Sequence, residues 1–131
     1  MKLENKNVLI TGAANRIGRE IAISLSKLGF NIGIHYNSSE SSANQTLKLV
    51  KKNKVEASII QSDLSNEKNC IKLIKDTEKK IGEVSILINN ASTFKKNTLE
   101  NTSSREIEED FYVNLIAPFI LCKAIFRKSN K

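Results

Sequence analysis

The stretch that decides the fold runs from residue 7 to residue 36, NVLITGAANRIGREIAISLSKLGFNIGIHY. It opens on a short apolar run, 7–11, of the kind found in strands buried on both faces of a parallel sheet. Then the period changes. Ile17, Ile21, Leu25 and Leu28 recur at three- and four-residue spacing, which marks one apolar stripe of a helix over 15–28. Gly29 stands where such a helix is capped, and NIGIHY at 31–36 is a second strand. Between the first strand and the helix lies TGAANRIG, with Gly12 and Gly18 near its ends. Arg16 occupies a position where such loops usually place a further glycine. Glycines there permit a tight turn and let the backbone approach a pyrophosphate, while the helix N-terminus offers amide hydrogens and a partial positive charge. A strand before the loop and a helix after it form the setting in which this pattern carries meaning.

The alternation continues along the chain. A helix is expected over 39–53 with Ala43, Leu47 and Val50 on one face, followed by a third strand, VEASIIQ, at 55–61. A third helix is expected over 65–80, capped by Ser65, with Ile71, Ile74 and Ile81 on its core side and Gly82 as its stop. VSILINN at 84–90 is a fourth strand. A polar loop, 91–102, leads to a last helix over 103–127, where Ile107, Phe111, Leu115, Phe119, Cys122 and Phe126 make a broad apolar side. Strict alternation of strands and helices implies an α/β fold, a doubly wound parallel sheet with right-handed crossovers. All 131 residues read as a single domain.

A net charge of +7 raises the question of nucleic acid. Lysine supplies most of that charge, on the expected wet faces of helices, as at Lys48, Lys51 and Lys52 or Lys72, Lys75 and Lys79. Aromatic residues are only 5% of the chain, and no recognition motif accompanies the charge. The reading is a solvated basic surface with no nucleic-acid partner. Cys70 and Cys122 are too few for a disulfide scaffold and read as small buried side chains of a reducing compartment. No signal-peptide pattern, no span long enough for a bilayer and no metal-ligand cluster stands out, so a cytoplasmic protein is expected.

Folds that select NAD place an acid at the end of the second strand, on the ribose hydroxyls. This strand ends HYNSSE, and no acid precedes Glu40. His35, Asn37, Ser38 and Ser39 are donors that suit a 2′-phosphate, and with Arg16 nearby the reading is NADP(H).

These residues carry a resemblance. TGAANRIG, Asp63-Leu64, NNAS at 89–92 and VNLIAPF at 113–119 resemble, in order and spacing, the short-chain dehydrogenase/reductase family along essentially the whole chain. Arg16, Ser92 and the His-Tyr opening at 35–36 are similar to its pteridine-reductase branch, which commonly has an arginine at the position of Ser38. The resemblance implies an NADPH-dependent oxidoreductase acting on pterin- or folate-type substrates. It implies cofactor contacts from Gly12, Asn15, Arg16, Ile17, Gly18, His35, Tyr36, Asn37, Ser38, Ser39, Asp63, Leu64, Asn90, Ala91 and Ser92. Asp63 would bind the adenine amino group, Leu64 would lie beside the ring, and Asn90 and Ala91 would line the nicotinamide ribose. Arg16, Ser92 and Phe94 would meet the substrate, with Phe94 stacking on the pterin. Thr11 and Asn89 would tie neighbouring strand ends together.

Pro118 crowds and frees the carbonyl four residues back, that of Asn114. In the resembling family this carbonyl holds a water of a proton relay to the catalytic lysine. That family's acid is a tyrosine followed four residues later by lysine. Here Tyr36 is followed by Glu40 and Tyr112 by Ile116, so neither makes the pair. The expectation is therefore the cofactor half of such a reductase, ending after the fourth strand and its helix and inactive alone. The resemblance gives a strand order of 3-2-1-4, with the fourth strand left as an edge, and homo-oligomers for full-length relatives. A non-catalytic nucleotide-binding remnant and an interaction protein using its basic surface are the competing readings.

Overall fold

The computed structural model describes residues 6–129. Four parallel strands, β1 (Asn7–Ile10), β2 (Asn31–Tyr36), β3 (Ala57–Gln61) and β4 (Val84–Ile88), form one sheet in the order β3-β2-β1-β4. Three helices fill the crossovers, α1 (Arg16–Lys27), α2 (Glu40–Lys51) and α3 (Glu67–Ile81), and a two-part helix, α4 (Ser104–Phe111) and α5 (Ala117–Ser129), follows β4. This is the Rossmann-type doubly wound α/β architecture expected from the alternation. Side chains alternate across each strand, so β1 feeds two cores. Val8 and Ile10 join Ile32, Ile34, Ala22, Ala43 and Val50 on the α1–α2 side. Leu9 joins Ile60, Leu73, Ile74, Ala117 and Leu121 on the α3–α5 side.

α1 stops at Gly29, as its sequence predicts. Gly29, at φ 87, lets its N–H reach the Ser26 oxygen while Phe30 N–H reaches that of Leu25, closing the helix end in paired bonds. Gly82, at φ 90, ends α3. The start of α3 differs: Asn66, not Ser65, caps it, accepting from the Asn69 N–H at 2.9 Å.

Several helix faces also differ from expectation. On α1 the stripe Gly18, Ala22, Ser26 faces the sheet, and Ile17 is 70% exposed, with Leu28 also on the surface. Ile21 and Leu25 flank the buried face and are half covered. The helix sits so close to the sheet that only small side chains fit beneath it. On α3, Cys70, Leu73, Ile74, Thr77 and Ile81 are buried, and Ile71 lies at the surface.

The last helix is two helices joined by a wide turn at Tyr112–Ile116, where the Ala117 N–H reaches back five residues to the Tyr112 oxygen. Pro118 explains the break: it has no N–H to give, and its ring displaces the Asn114 carbonyl from the ladder. Ser103 and Glu106 form a reciprocal cap at the start of α4. Ala117, Ile120 and Leu121 are what the rod buries. Ile107, Phe111, Leu115, Phe119 and Phe126 form an exposed face instead of core, and Cys122 is exposed as well.

That face lies near the β4 edge, where five residues, Val84–Ile88, carry no charge or proline to discourage pairing. The 131-residue polypeptide is therefore expected to self-associate. Sedimentation velocity checks this, and a monodisperse monomer that unfolds cooperatively contradicts it. Among the described residues no helix is long and apolar enough to cross a membrane.

Candidate nucleotide-binding site

β1 to β3 wind outward in one direction and β4 returns to the other side of β1, so the chain reverses direction between β1 and β4. In open α/β sheets ligands bind at such a reversal, beyond the carboxyl ends of the strands. A cleft of about 350 Å³ lies there. It is lined by Gly12, Asn15, Arg16, Ile17, Gly18, His35, Asn37, Asp63, Leu64, Asn90, Ala91 and Ser92, together with Thr93 and Val113.

The floor is the turn after β1, and it has little room. Gly12 stands at φ 64, and a Cβ there would come within 2.9 Å of the Ala91 Cα. A Cβ on Gly18 would run into the Gly12 carbonyl oxygen and lie 2.6 Å from Asn90 Nδ2. Both glycines are therefore required by close approach as well as by conformation. Arg16 takes φ 50, in the left-handed region that side chains disfavour, which is why a glycine suits this place. The first turn of α1 has no side-chain cap, since Asn15 at its N-cap makes no such bond. Its amide hydrogens thus sit at the cleft without a protein acceptor of that kind.

The turn is tied to β4 by Thr11 and Asn90. The Thr11 hydroxyl accepts from the N–H groups of Asn90 (2.9 Å) and Ala91 (3.0 Å). Asn90 Nδ2 donates to the carbonyl oxygens of Thr11 and Gly12 at 2.9 and 3.0 Å. Thr11 ties strand ends as expected. Its partner is Asn90, however, while the Asn89 amide reaches only the Cys122 sulfur, at 3.5 Å. Asn90 lines the cleft, but its amide hydrogens are spent on the turn.

Of the two contacts expected at the end of β2, His35 lines the cleft and Tyr36 does not. β2 is a central strand, so both side chains are buried. His35 Nδ1 accepts from the Gly12 N–H at 3.0 Å, which leaves Nε2–H to donate to the Ser62 oxygen at 2.9 Å. Both ring nitrogens are engaged inside the protein, and burial pushes the imidazole below its ordinary pKa. Tyr36 packs in the α1–α2 core, outside the cleft lining. Its hydroxyl is pushed up by burial and by Glu40. Ser38 and Ser39 are exposed at the rim but do not line the cleft, whereas Asn37 does.

On the other side, Asp63 Oδ1 accepts from the Ser65 N–H at 3.0 Å, which sets the turn that points Leu64 inward. The loop after β4 is pinned by Asn114. Its side chain exchanges two 2.8 Å hydrogen bonds with the main chain of Thr93, whose hydroxyl donates to Asp110 at 2.8 Å. Asn114 thus stands behind the cleft wall. Phe94 projects from this loop, 83% exposed and outside the lining.

Thr93 and Val113 were not foreseen as lining residues. Each is a direct neighbour of a residue the sequence did single out. Cys70 is a buried thiol with its pKa pushed up to about 11 by burial and by Asp63. Among the described residues, no three His, Cys, Asp or Glu side chains gather to hold a metal ion.

A family model described as short chain dehydrogenase matches residues 6–131. The chain belongs to that family. A 3-oxoacyl-(acyl-carrier-protein) reductase FabG of Staphylococcus epidermidis is 32% identical over 115 residues, which are 88% of this chain and 47% of the relative. A Burkholderia cenocepacia protein solved as a putative dehydrogenase with bound NADP superposes with a TM-score of 0.88. It is 34% identical, over 95% of this chain and 48% of its own. The FolM alternative dihydrofolate reductase 1 of Brucella suis, solved in complex with NADP, gives 0.85 and 30% identity over 94% of this chain and 51% of its own. This short-chain dehydrogenase chain thus spans about half the length of the relatives it matches. Its glycine turn, Asp63-Leu64 and the 89–92 segment meet at one cleft, although they lie far apart in sequence.

Proposed function

We propose that this chain is the NADP(H)-binding part of a short-chain oxidoreductase that reduces pterin- or folate-type substrates. One observation carries the reading. The cleft joins a glycine cradle to Arg16 and Asn37 at the end of β2, where no carboxylate stands to repel a 2′-phosphate. The residues fit a dinucleotide. Backbone without Cβ atoms leaves space for a pyrophosphate at the α1 N-terminus, and Asp63 and Leu64 offer an acceptor and an apolar wall to the adenine. NADP in two of the solved relatives supports the same cofactor. The alternative dihydrofolate reductase among them, with Arg16, Ser92 and the exposed Phe94, favours a flat pterin-like ring as substrate.

When bound, the nucleotide supplies a hydride. The chain's own residues would grip its phosphates (Gly12, Asn15, Arg16, Ile17, Gly18) and its adenine (Asp63, Leu64), and border its nicotinamide end (Ala91, Ser92). Asn114 would hold a relay water on the carbonyl that Pro118 displaces. No Tyr-x-x-x-Lys pair occurs in the sequence, so the 131-residue polypeptide binds nucleotide without turning over dihydrobiopterin or dihydrofolate. The setting of this reading is the cytoplasm.

Calorimetry tests the cofactor. NADPH is expected to bind about tenfold more tightly than NADH, the worth of one charge-assisted contact to the 2′-phosphate. Arg16→Gly should remove most of that preference without lowering thermal stability, because glycine accepts φ 50 freely. Equal affinity for NADPH in the variant would remove Arg16 from the site, and equal affinity for the two nucleotides in the wild type would defeat the NADP(H) reading.

A further inference from the structure

The phosphate turn is held from behind by a side chain that does not line the cleft. Arg19, in the first turn of α1, donates from Nε to the Ala14 carbonyl oxygen (3.1 Å) and to Thr46 Oγ1 (2.9 Å). From Nη2 it donates to the same Ala14 oxygen (2.9 Å) and to the Ser42 oxygen (3.1 Å). Thr46, fully buried on α2, holds its hydroxyl 2.9 Å from the Ala14 oxygen and 3.2 Å from the Ser42 oxygen, with the shorter contact to Ala14. One carbonyl oxygen therefore receives three donors, two of them from a guanidinium, which is far more than an ordinary turn requires.

Holding a carbonyl this firmly fixes its whole peptide plane. In a trans peptide the next N–H points opposite to the C=O, and the chain has no cis bonds among its described residues. The Ala14 oxygen points toward α2. The Asn15 N–H is therefore directed away from α2, and Asn15 itself lines the cleft with Arg16 and Asn37. We infer that Arg19 and Thr46 are positioning residues for NADP(H): they lock the Ala14–Asn15 peptide so that the Asn15 amide, with the Arg16 guanidinium, meets the 2′-phosphate. The inference rests on the NADP(H) reading above. Neither residue touches the nucleotide. Their effect is to fix a donor before binding, so that the ordering cost falls on folding and not on association.

The test is a comparison of two nucleotides on the 131-residue chain by calorimetry. Arg19→Met is expected to weaken NADPH about tenfold while NADH changes by no more than about twofold, since only NADPH has the phosphate that meets this amide. Arg19→Lys, a point charge that cannot fork onto one oxygen, should recover part of the loss. Thr46→Val keeps the shape and removes one donor, and its smaller loss should have the same selectivity. It carries the test if Arg19→Met does not fold. A parallel loss for both nucleotides, or an unchanged ratio, would show that Arg19 merely packs α1 against α2 and would overturn the inference. A wild-type chain without preference for NADPH would defeat the underlying reading first, and this inference with it.

Discussion

Gly18→Ala is expected to cost the fold about 3 kcal/mol and to abolish nucleotide binding, although alanine is the better helix former by about 1 kcal/mol. The added Cβ has nowhere to go. It would run into the Gly12 carbonyl oxygen, lie 2.9 Å from the Ala13 Cα and crowd Asn90 Nδ2. Two of these are backbone atoms. The third belongs to a side chain already tethered to the Thr11 and Gly12 oxygens, so displacing it breaks two hydrogen bonds worth about 1 kcal/mol each. Gly33→Ala makes the contrast. Its Cβ would meet Thr77 Cγ2 at 2.7 Å and the Cδ1 atoms of Ile81 and Leu9 at 3.5 Å, side-chain atoms only, so one buried threonine must give and no backbone moves, for a cost of about 2 kcal/mol. Urea unfolding of the two variants measures the difference. If Gly18→Ala proves as stable as the wild type, the close approach of α1 to the sheet is not what holds this turn.

The same close approach explains what was legible in the sequence and what was not. Strand positions could be read because apolar runs and glycine stops are local signals, and alternating elements dictate a parallel sheet, whereas the strand order came from the family resemblance. The inward face of α1 could not. Ile17, Ile21, Leu25 and Leu28 form a good apolar stripe, but Gly18, Ala22 and Ser26 form a second stripe one residue over. Distance to the sheet chooses between them, and hydrophobicity does not. A helix drawn tight by Gly12 and Gly18 turns its small side inward. Phe111, Phe119 and Phe126 look equally core-like in sequence, yet each is more than half exposed. In the site, the glycine turn was readable from its place between a strand and a helix, while Asp63-Leu64 and residues 90–92 entered through the family resemblance. The Arg19–Thr46 pairing and the engagement of His35 join residues more than 20 positions apart, so no local pattern announces them.

His35 should give the protein a stability that falls on mild acidification. Neutral imidazole satisfies both neighbours, Nδ1 accepting from Gly12 and Nε2–H donating to Ser62. A second proton would put N–H against N–H at Gly12, in a site where burial already disfavours charge. The folded pKa is therefore below the ordinary value of 6.5, while the unfolded chain titrates near it. Between these two values the unfolded state holds more protons, so stability is complete above the unfolded pKa and declines as pH falls from there toward the folded one. The slope should approach about 1.4 kcal/mol per pH unit, one proton's worth, beginning near pH 6.5. The chain has one histidine, the side-chain type whose ordinary pKa falls in this range, so urea unfolding between about pH 7.5 and pH 5.5 follows this residue. His35→Gln keeps a donor and an acceptor but does not titrate, and its stability should stay nearly level over that range. An equally steep decline in the variant would locate the proton elsewhere. NADPH affinity in the wild type should decline over the same interval, because the group that protonates is the one that holds the Gly12 amide in place.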